Sequence, residues 1–133
     1  MNDIDLSYLA GLFDGEGNIH IVKPRGRTYI NILVRVTNTN PVVVSLFSDL
    51  VEGHHYIESP RRNWKTLHRI EYSKLQHIIQ VLEAIYPHLH LKKHHAELAI
   101  KYCKSRLSHP RASYDDAELQ MIRELRGLNR RGK

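Results

Sequence analysis

Two glycines, Gly11 and Gly15, stand one helical turn apart in a segment whose apolar residues Leu6, Leu9, Leu12 and Phe13 recur at helical spacing. Glycine inside a helix costs about 1 kcal/mol relative to alanine, so two in one short helix need a compensating contact. Close packing supplies it, because residues without side-chain bulk let two helix backbones approach tightly. The helix, capped by Asp5 or Ser7 and stopped by Gly15 and Gly17, is expected to bury Leu6, Leu9 and Phe13 in its own domain. Its other side, with Tyr8, Gly11, Leu12 and Gly15, is expected to meet a second helix. Only one such segment occurs in the chain, so that helix belongs to another copy. Identical helices on a two-fold axis give a closed homodimer. The competing reading is a glycine-rich helix end that packs only within its own chain.

The segment ends in acids. Asp14 and Glu16 straddle Gly15, and a two-fold axis beside them brings two copies of Glu16 together. Like charges held close are unfavourable unless a cation lies between them, and carboxylate plus water is a ligand set that Mg²⁺ accepts. A divalent-metal site at Glu16 is therefore expected. Asp14 reads more simply as a residue of the helix C-terminal turn.

Downstream, Ile19 and Ile21 alternate with Asn18, His20 and Val22, and Ile30, Ile32, Val34 and Val36 alternate with Tyr29, Asn31, Leu33 and Arg35. This is the period-two pattern of paired strands with one apolar face. Asn38 and Asn40 before Pro41 predict a capped helix that Gly53 ends. Residues 54–59 and 65–72 read as two more strands of open register, joined by the basic turn 60–63. Ser73 is expected to cap a helix that Pro87 ends, and a further helix is expected from Lys93 to Arg106. A last helix fits Ser113 to Leu128, with Ser113 and Asp116 at capping-box spacing, and the basic tail from about 127 to 133 is expected to be flexible.

The order αββαββα, followed by C-terminal helices, describes one α+β domain over residues 1–133: an antiparallel β-sheet saddle covered on one face by helices. Amide, imidazole and guanidinium groups on the uncovered face match the chemistry that reads base edges in a DNA major groove. An ordinary solvated sheet face is the alternative. The expected groove residues are Asn18, His20, Lys23, Arg25, Arg27, Tyr29, Asn31, Arg35, Arg61, Arg62, Lys65 and His68. A formal net charge of +6 points to the same anionic partner. Cys103 is the single cysteine, which rules out an intrachain disulfide framework, and no apolar run reaches membrane-spanning length. An intracellular protein, in a prokaryotic cytoplasm or an organelle, is expected.

The ten residues Tyr8-Leu9-Ala10-Gly11-Leu12-Phe13-Asp14-Gly15-Glu16-Gly17 closely resemble the defining motif of the LAGLIDADG homing endonucleases, with conservative changes at its sixth, eighth and ninth positions. The resemblance implies a site-specific DNA endonuclease that hydrolyses both strands of a long pseudo-palindromic target in intron homing. Single-motif members of that family resemble homodimers joined through paired motif helices. Glu16 matches the metal-binding acid, Gly15 the residue whose backbone carbonyl adds a ligand, and Asp14 the more structural acid. Mg²⁺ is the implied cofactor, with Mn²⁺ substituting and Ca²⁺ supporting binding without cleavage. The stretch Tyr86-Pro87-His88-Leu89-His90-Leu91-Lys92-Lys93 resembles the family's second landmark, which implies Lys92, or its neighbour Lys93, as the active-site lysine. Asn38 matches a polar residue that orders active-site water, and helix capping is an equal reading for it.

Two binding functions use the same scaffold: a regulator that binds DNA without cutting it, and a maturase that binds its own intron RNA. Glu16 and Lys92 together, and the lack of a following helix-turn-helix segment, weigh against the regulator. His88, His90, His94 and His95 cluster, but without a nearby cysteine or catalytic acid they are expected to face phosphate or solvent rather than zinc. Structural roles are expected for His54, His55 and His77.

Overall fold

The computed structural model describes residues 1–26, 28–59, 65–110 and 113–131. Asn2 opens helix α1 (Asp3–Glu16) by accepting a hydrogen bond from the Asp5 amide at 2.9 Å. The cap therefore lies ahead of Asp5 and Ser7, and Ser7 Oγ instead faces His88 Nδ1 at 3.0 Å. Gly15 does not stop the helix, which continues through Glu16 to Gly17. A side chain at Gly17 would collide with the core, since its Cβ would lie 2.3 Å from the Phe13 ring.

Strands β1 (Gly17–Val22) and β2 (Asn31–Asn38) pair antiparallel, with Ile19 opposite Val34 and Ile21 opposite Ile32. Asn38 Oδ1 accepts from the Asn40 amide (2.8 Å), and Asn40 Oδ1 accepts from the Val42 amide (3.0 Å). With Pro41 in the first turn, these caps open helix α2 (Pro41–Leu50) as expected. Strands β3 (His54–Glu58) and β4 (Leu67–Tyr72) complete one antiparallel sheet in the order β1-β2-β4-β3. Ile70 sets the register that the sequence left open, lying between Val36 and His55. Gly53 ahead of β3 leaves room for Tyr72, whose ring would be 2.7 Å from a Cβ there. The buried Tyr72 hydroxyl is shared between the carbonyls of Phe47 (3.0 Å) and Val51 (2.7 Å), so it ties β4 to the end of α2, and burial raises its pKa.

Helix α3 (Leu75–Ile85) starts at Lys74 without a side-chain cap, so Ser73 does not have the role expected for it. A 3-10 turn, Tyr86–His88, leads to α4 (Lys93–Ser108) and α5 (Asp116–Arg131). The capping box of α5 is formed by Asp115 and Glu118 rather than Ser113 and Asp116. Asp115 Oδ1 accepts from the Glu118 amide (2.7 Å), and Glu118 Oε1 accepts from the Asp115 amide (3.0 Å). A glutamate reaches back to the cap amide where the shorter Asp116 does not. Glu118 is buried at 2% exposure and also accepts from the Ser105 hydroxyl (2.7 Å) and the Arg106 guanidinium (3.1 Å). The chain is helical through Arg131 where a flexible tail was expected from about 127, and Asn129 Nδ2 holds the helix by donating to Ile19 O at 2.8 Å.

Helices α1 and α2 pack on one face of the sheet, α3 and α4 pack behind them, and α5 closes against α4 and β1. Leu9, Ala10 and Phe13 of α1 join Ile19, Val34, Val36, Phe47 and Ile70 in a single core cluster. The α+β architecture, with an antiparallel sheet covered on one face, is as expected.

Candidate active site and nucleic-acid interface

The end of α1 is held by a reciprocal clasp with the start of α4. The Asp14 carboxylate accepts from the amides of His90 (2.8 Å), Leu91 (3.1 Å) and Lys92 (3.0 Å). In return, Lys92 Nζ donates to the carbonyls of Phe13 (3.3 Å), Asp14 (3.1 Å) and Gly17 (2.6 Å). An acid thus sits at a helix N-terminus and a cation at a helix C-terminus, the favourable placement for each dipole. Burial lowers the Lys92 pKa, and the Asp14 and Glu16 carboxylates work against that shift. With three carbonyls around its three protons, the ammonium in this conformation acts on the α1 terminus.

Glu16, next to this clasp, is exposed and makes no hydrogen bond or ion pair among the described residues. Thr37 and Asn38 end β2, one and two residues beyond the pairing of Gly17 with Val36. Within a single chain, no three His, Cys, Asp or Glu side chains among the described residues converge as metal ligands.

The glycine face of α1 is uncovered. A Cβ added at Gly11 or Gly15 would meet nothing within 4 Å, so packing inside this chain gives neither glycine a reason to be small. Ile4 and Tyr8 on the same side are 79% and 60% exposed, whereas Leu9, Ala10 and Phe13 are buried. The helix therefore has one face in the core and a second, shallow apolar face toward solvent.

Strand alternation puts Asn18, His20, Asn31 and Arg35 on the uncovered side of the sheet, as expected, because Ile19, Ile21, Ile32, Val34 and Val36 occupy the helix side. The register adds residues that the sequence reading missed: Thr37, Arg69, Glu71, His54 and Tyr56 share that side. The missing signal was the β3–β4 pairing, which fixes the strand parity only once Ile70 and Tyr72 are known to be buried. The same parity corrects His68, which lies on the helix side with Ile70 and faces His55, Nδ1 to Nε2 3.2 Å. Arg35 Nε approaches Glu71 at 3.1 Å off the hydrogen-bond line, as an ion pair, and Arg69 pairs with Glu58 and Glu71. His20 has its pKa lowered by burial and then by Arg35, with Glu71 opposing and Arg126 adding.

Lys23, Arg25 and Tyr29 are exposed in the β1–β2 connection, and Lys65 is exposed before β4. Arg27, Arg61 and Arg62, also expected at the interface, lie outside the described residues. The histidine cluster disperses: His88 contacts Ser7, His94 bonds Glu124 at 2.8 Å, and His95 is half-buried with Nδ1 unsatisfied.

No family model and no curated protein matches this sequence. Solved structures match its fold. The archaeal intron-encoded homing endonuclease I-Vdi141I, solved in complex with DNA, has a TM-score of 0.74 and 12% identity, covering 96% of this chain and 84% of its own. The homing endonuclease I-CvuI, solved on an uncleaved I-CreI target with Mg, has a TM-score of 0.63 and 20% identity, covering 93% of this chain and 78% of its own. The LAGLIDADG homing endonuclease I-GzeII, solved with its DNA target, has a TM-score of 0.64 and 16% identity over 92% of this chain but only 43% of its own. On the architecture, the motif helix and these likenesses together, this chain has the fold of the LAGLIDADG homing endonucleases.

Proposed function

We propose that the chain is a site-specific, divalent-metal-dependent DNA endonuclease that works as a homodimer. The observation that carries the reading is an exposed, unpaired Glu16 at the tip of a helix whose glycine face is uncovered. A second copy of α1 on that face brings two Glu16 carboxylates to one two-fold axis. The 43% coverage of I-GzeII supports this, because it leaves that larger chain room for a second unit of the same kind.

The residues fit a hard divalent cation. Glu16 is an exposed acid with no ion-pair partner among the described residues, the Gly15 carbonyl is beside it, and oxygen donors with water are what Mg²⁺ prefers. Among the described residues, one chain brings no three acidic, histidine or cysteine ligands together, which is consistent with a site shared between copies and the DNA backbone. When bound, the metal would supply charge neutralisation at the phosphate and an acidified water. The chain's own part is positional. Asp14 and Lys92 fix the last turn of α1 and so aim Glu16, while Asn38, at the adjoining end of β2, already caps the turn into α2. The uncovered sheet face offers Asn18, His20, Asn31 and Arg35 to base edges in the major groove.

Purified protein with Mg²⁺, incubated with a randomised duplex library, is expected to release cut ends that share a pseudo-palindromic sequence. Glu16→Gln is expected to bind the same duplex and leave it intact. Tight binding with no cleavage under Mg²⁺ or Mn²⁺ would replace this reading with a non-cutting binding module.

A further inference from the structure

We propose that the cleft between β1 and α5 binds a phosphodiester group of duplex DNA, beside rather than within the metal site; the inference rests on the DNA-binding reading above. The cleft has a volume of ≈ 700 Å³ and begins at Gly17, the residue after Glu16. Asn18 and His20 of β1, Lys92 and His95 at the start of α4, and Arg126 and Arg130 of α5 line it. Among the described residues, every ionisable lining group is a cation or a histidine, and none is an acid. β1 is an edge strand, and the Asn129 bond to Ile19 O fixes α5 against that edge.

Several basic residues elsewhere on the protein are paired with acids. Arg35 and Arg69 on the sheet face pair with Glu58 and Glu71, Arg106 pairs with Glu118, and Lys101 and Lys104 pair with Glu97 and Glu83. Among the described residues, Arg126 and Arg130 have no acid partner and are exposed at the cleft mouth. The two histidines sense the resulting field. Burial lowers the pKa of both, and further lowering comes from Arg35 and Arg126 at His20 and from Lys92 and His94 at His95, with only Glu71 opposing at His20. His95 Nδ1 is also an enclosed polar atom that the chain leaves unsatisfied.

Like charges converging on one concavity repel until an anion enters, and guanidinium groups match phosphate oxygens with paired hydrogen bonds. A DNA strand with one phosphate at Glu16 would lay neighbouring phosphates along the edge of β1. Arg126 and Arg130 would then hold the strand while the sheet face reads the bases, a division between backbone positioning and base readout.

The test uses the full chain, a random-sequence duplex as probe, and binding measured by fluorescence anisotropy across salt. For the Arg126→Gln/Arg130→Gln double variant, the slope of log affinity against log salt is expected to fall by about 2 per protomer, since each neutralised phosphate contributes about 0.9. Its thermal midpoint is expected to stay at the wild-type value. Lys101→Gln/Lys104→Gln removes the same charge from another surface and is expected to leave the slope unchanged. An unaltered slope in the arginine variant, or an equal fall in the lysine control, overturns the cleft while leaving the DNA-binding reading in place. Wild-type protein that fails to bind duplex DNA at low salt overturns both. Inorganic phosphate at matched ionic strength is the remaining arm. If it raises the wild-type thermal midpoint but not the arginine variant's, and the DNA slopes coincide, the cleft takes a free phosphate ion and the proposal fails.

Discussion

Asp14 takes three backbone protons from one end of the chain's interior and Lys92 returns three to the other, so each side chain closes a helix terminus that is not its own. Removing either partner leaves carbonyls or amides without a mate. Asp14→Ala is expected to lower stability by about 1–2 kcal/mol, the scale of hydrogen bonds to a charged group after discount for partial exposure, and urea unfolding reads it directly. Cleavage should fall further than stability does, because the last turn of α1 carries Glu16. The sequence identified Asp14 as a structural residue at a helix end, and the family resemblance singled out Lys92. It did not disclose that the two residues act on each other's backbone, because their partners are more than seventy positions away and no local pattern encodes that separation.

At the scale of the element, α1 is amphipathic in an unusual sense: Leu9, Ala10 and Phe13 face the core, while Gly11 and Gly15 face open space. Gly11→Leu separates assembly from folding. A Cβ at this position meets nothing within 4 Å among the described residues, and replacing glycine improves helix propensity by about 0.8–1 kcal/mol, so the monomer should fold at least as well. A second helix could no longer approach, and sedimentation is expected to show a monomer without nuclease activity. If the variant stays dimeric and cuts DNA, this face is not the interface. Elements with strong periodicity, such as α2 with its Asn40–Pro41 start and the β1–β2 pair, were legible in the sequence. Helix starts that depend on competition among nearby polar residues were not: Asn2 displaced Asp5 and Ser7, and the box at α5 moved from Ser113 to Asp115 because only Glu118 reaches back. The parity of β4 was illegible for a different reason, since its side chains sort by a pairing made across the sheet.

Across the whole molecule, the C-terminal segment is tied to the β1–β2 side of the sheet. The Ile30 amide donates to the Tyr114 hydroxyl at 2.7 Å, Arg106 stacks 4.2 Å from the Tyr114 ring centre, and Arg106 also pairs with the buried Glu118. Burial alone would raise the Glu118 pKa, but hydrogen bonds from the Asp115 amide, Ser105 and Arg106 hold it below its ordinary 4.5. A carboxylate with a depressed folded-state pKa adds stability above about pH 4.5 and loses it as pH falls through the folded value. The thermal midpoints of wild type and Glu118→Gln are therefore expected to differ near neutrality and to converge in acid. A constant gap down to low pH would show that Glu118 contributes through packing alone.

The long reach of the Asp14–Lys92 clasp also bears on synthesis. A ribosome that has delivered the chain through α3 has already released the whole motif helix and all four strands, but neither the ammonium nor the three amides that fix the helix tip. The last turn of α1, which carries Glu16, is tied down only when the segment after the 3-10 turn emerges and docks. A stalled or truncated translation product would thus own both acids of the motif while lacking the contacts that hold the turn between them.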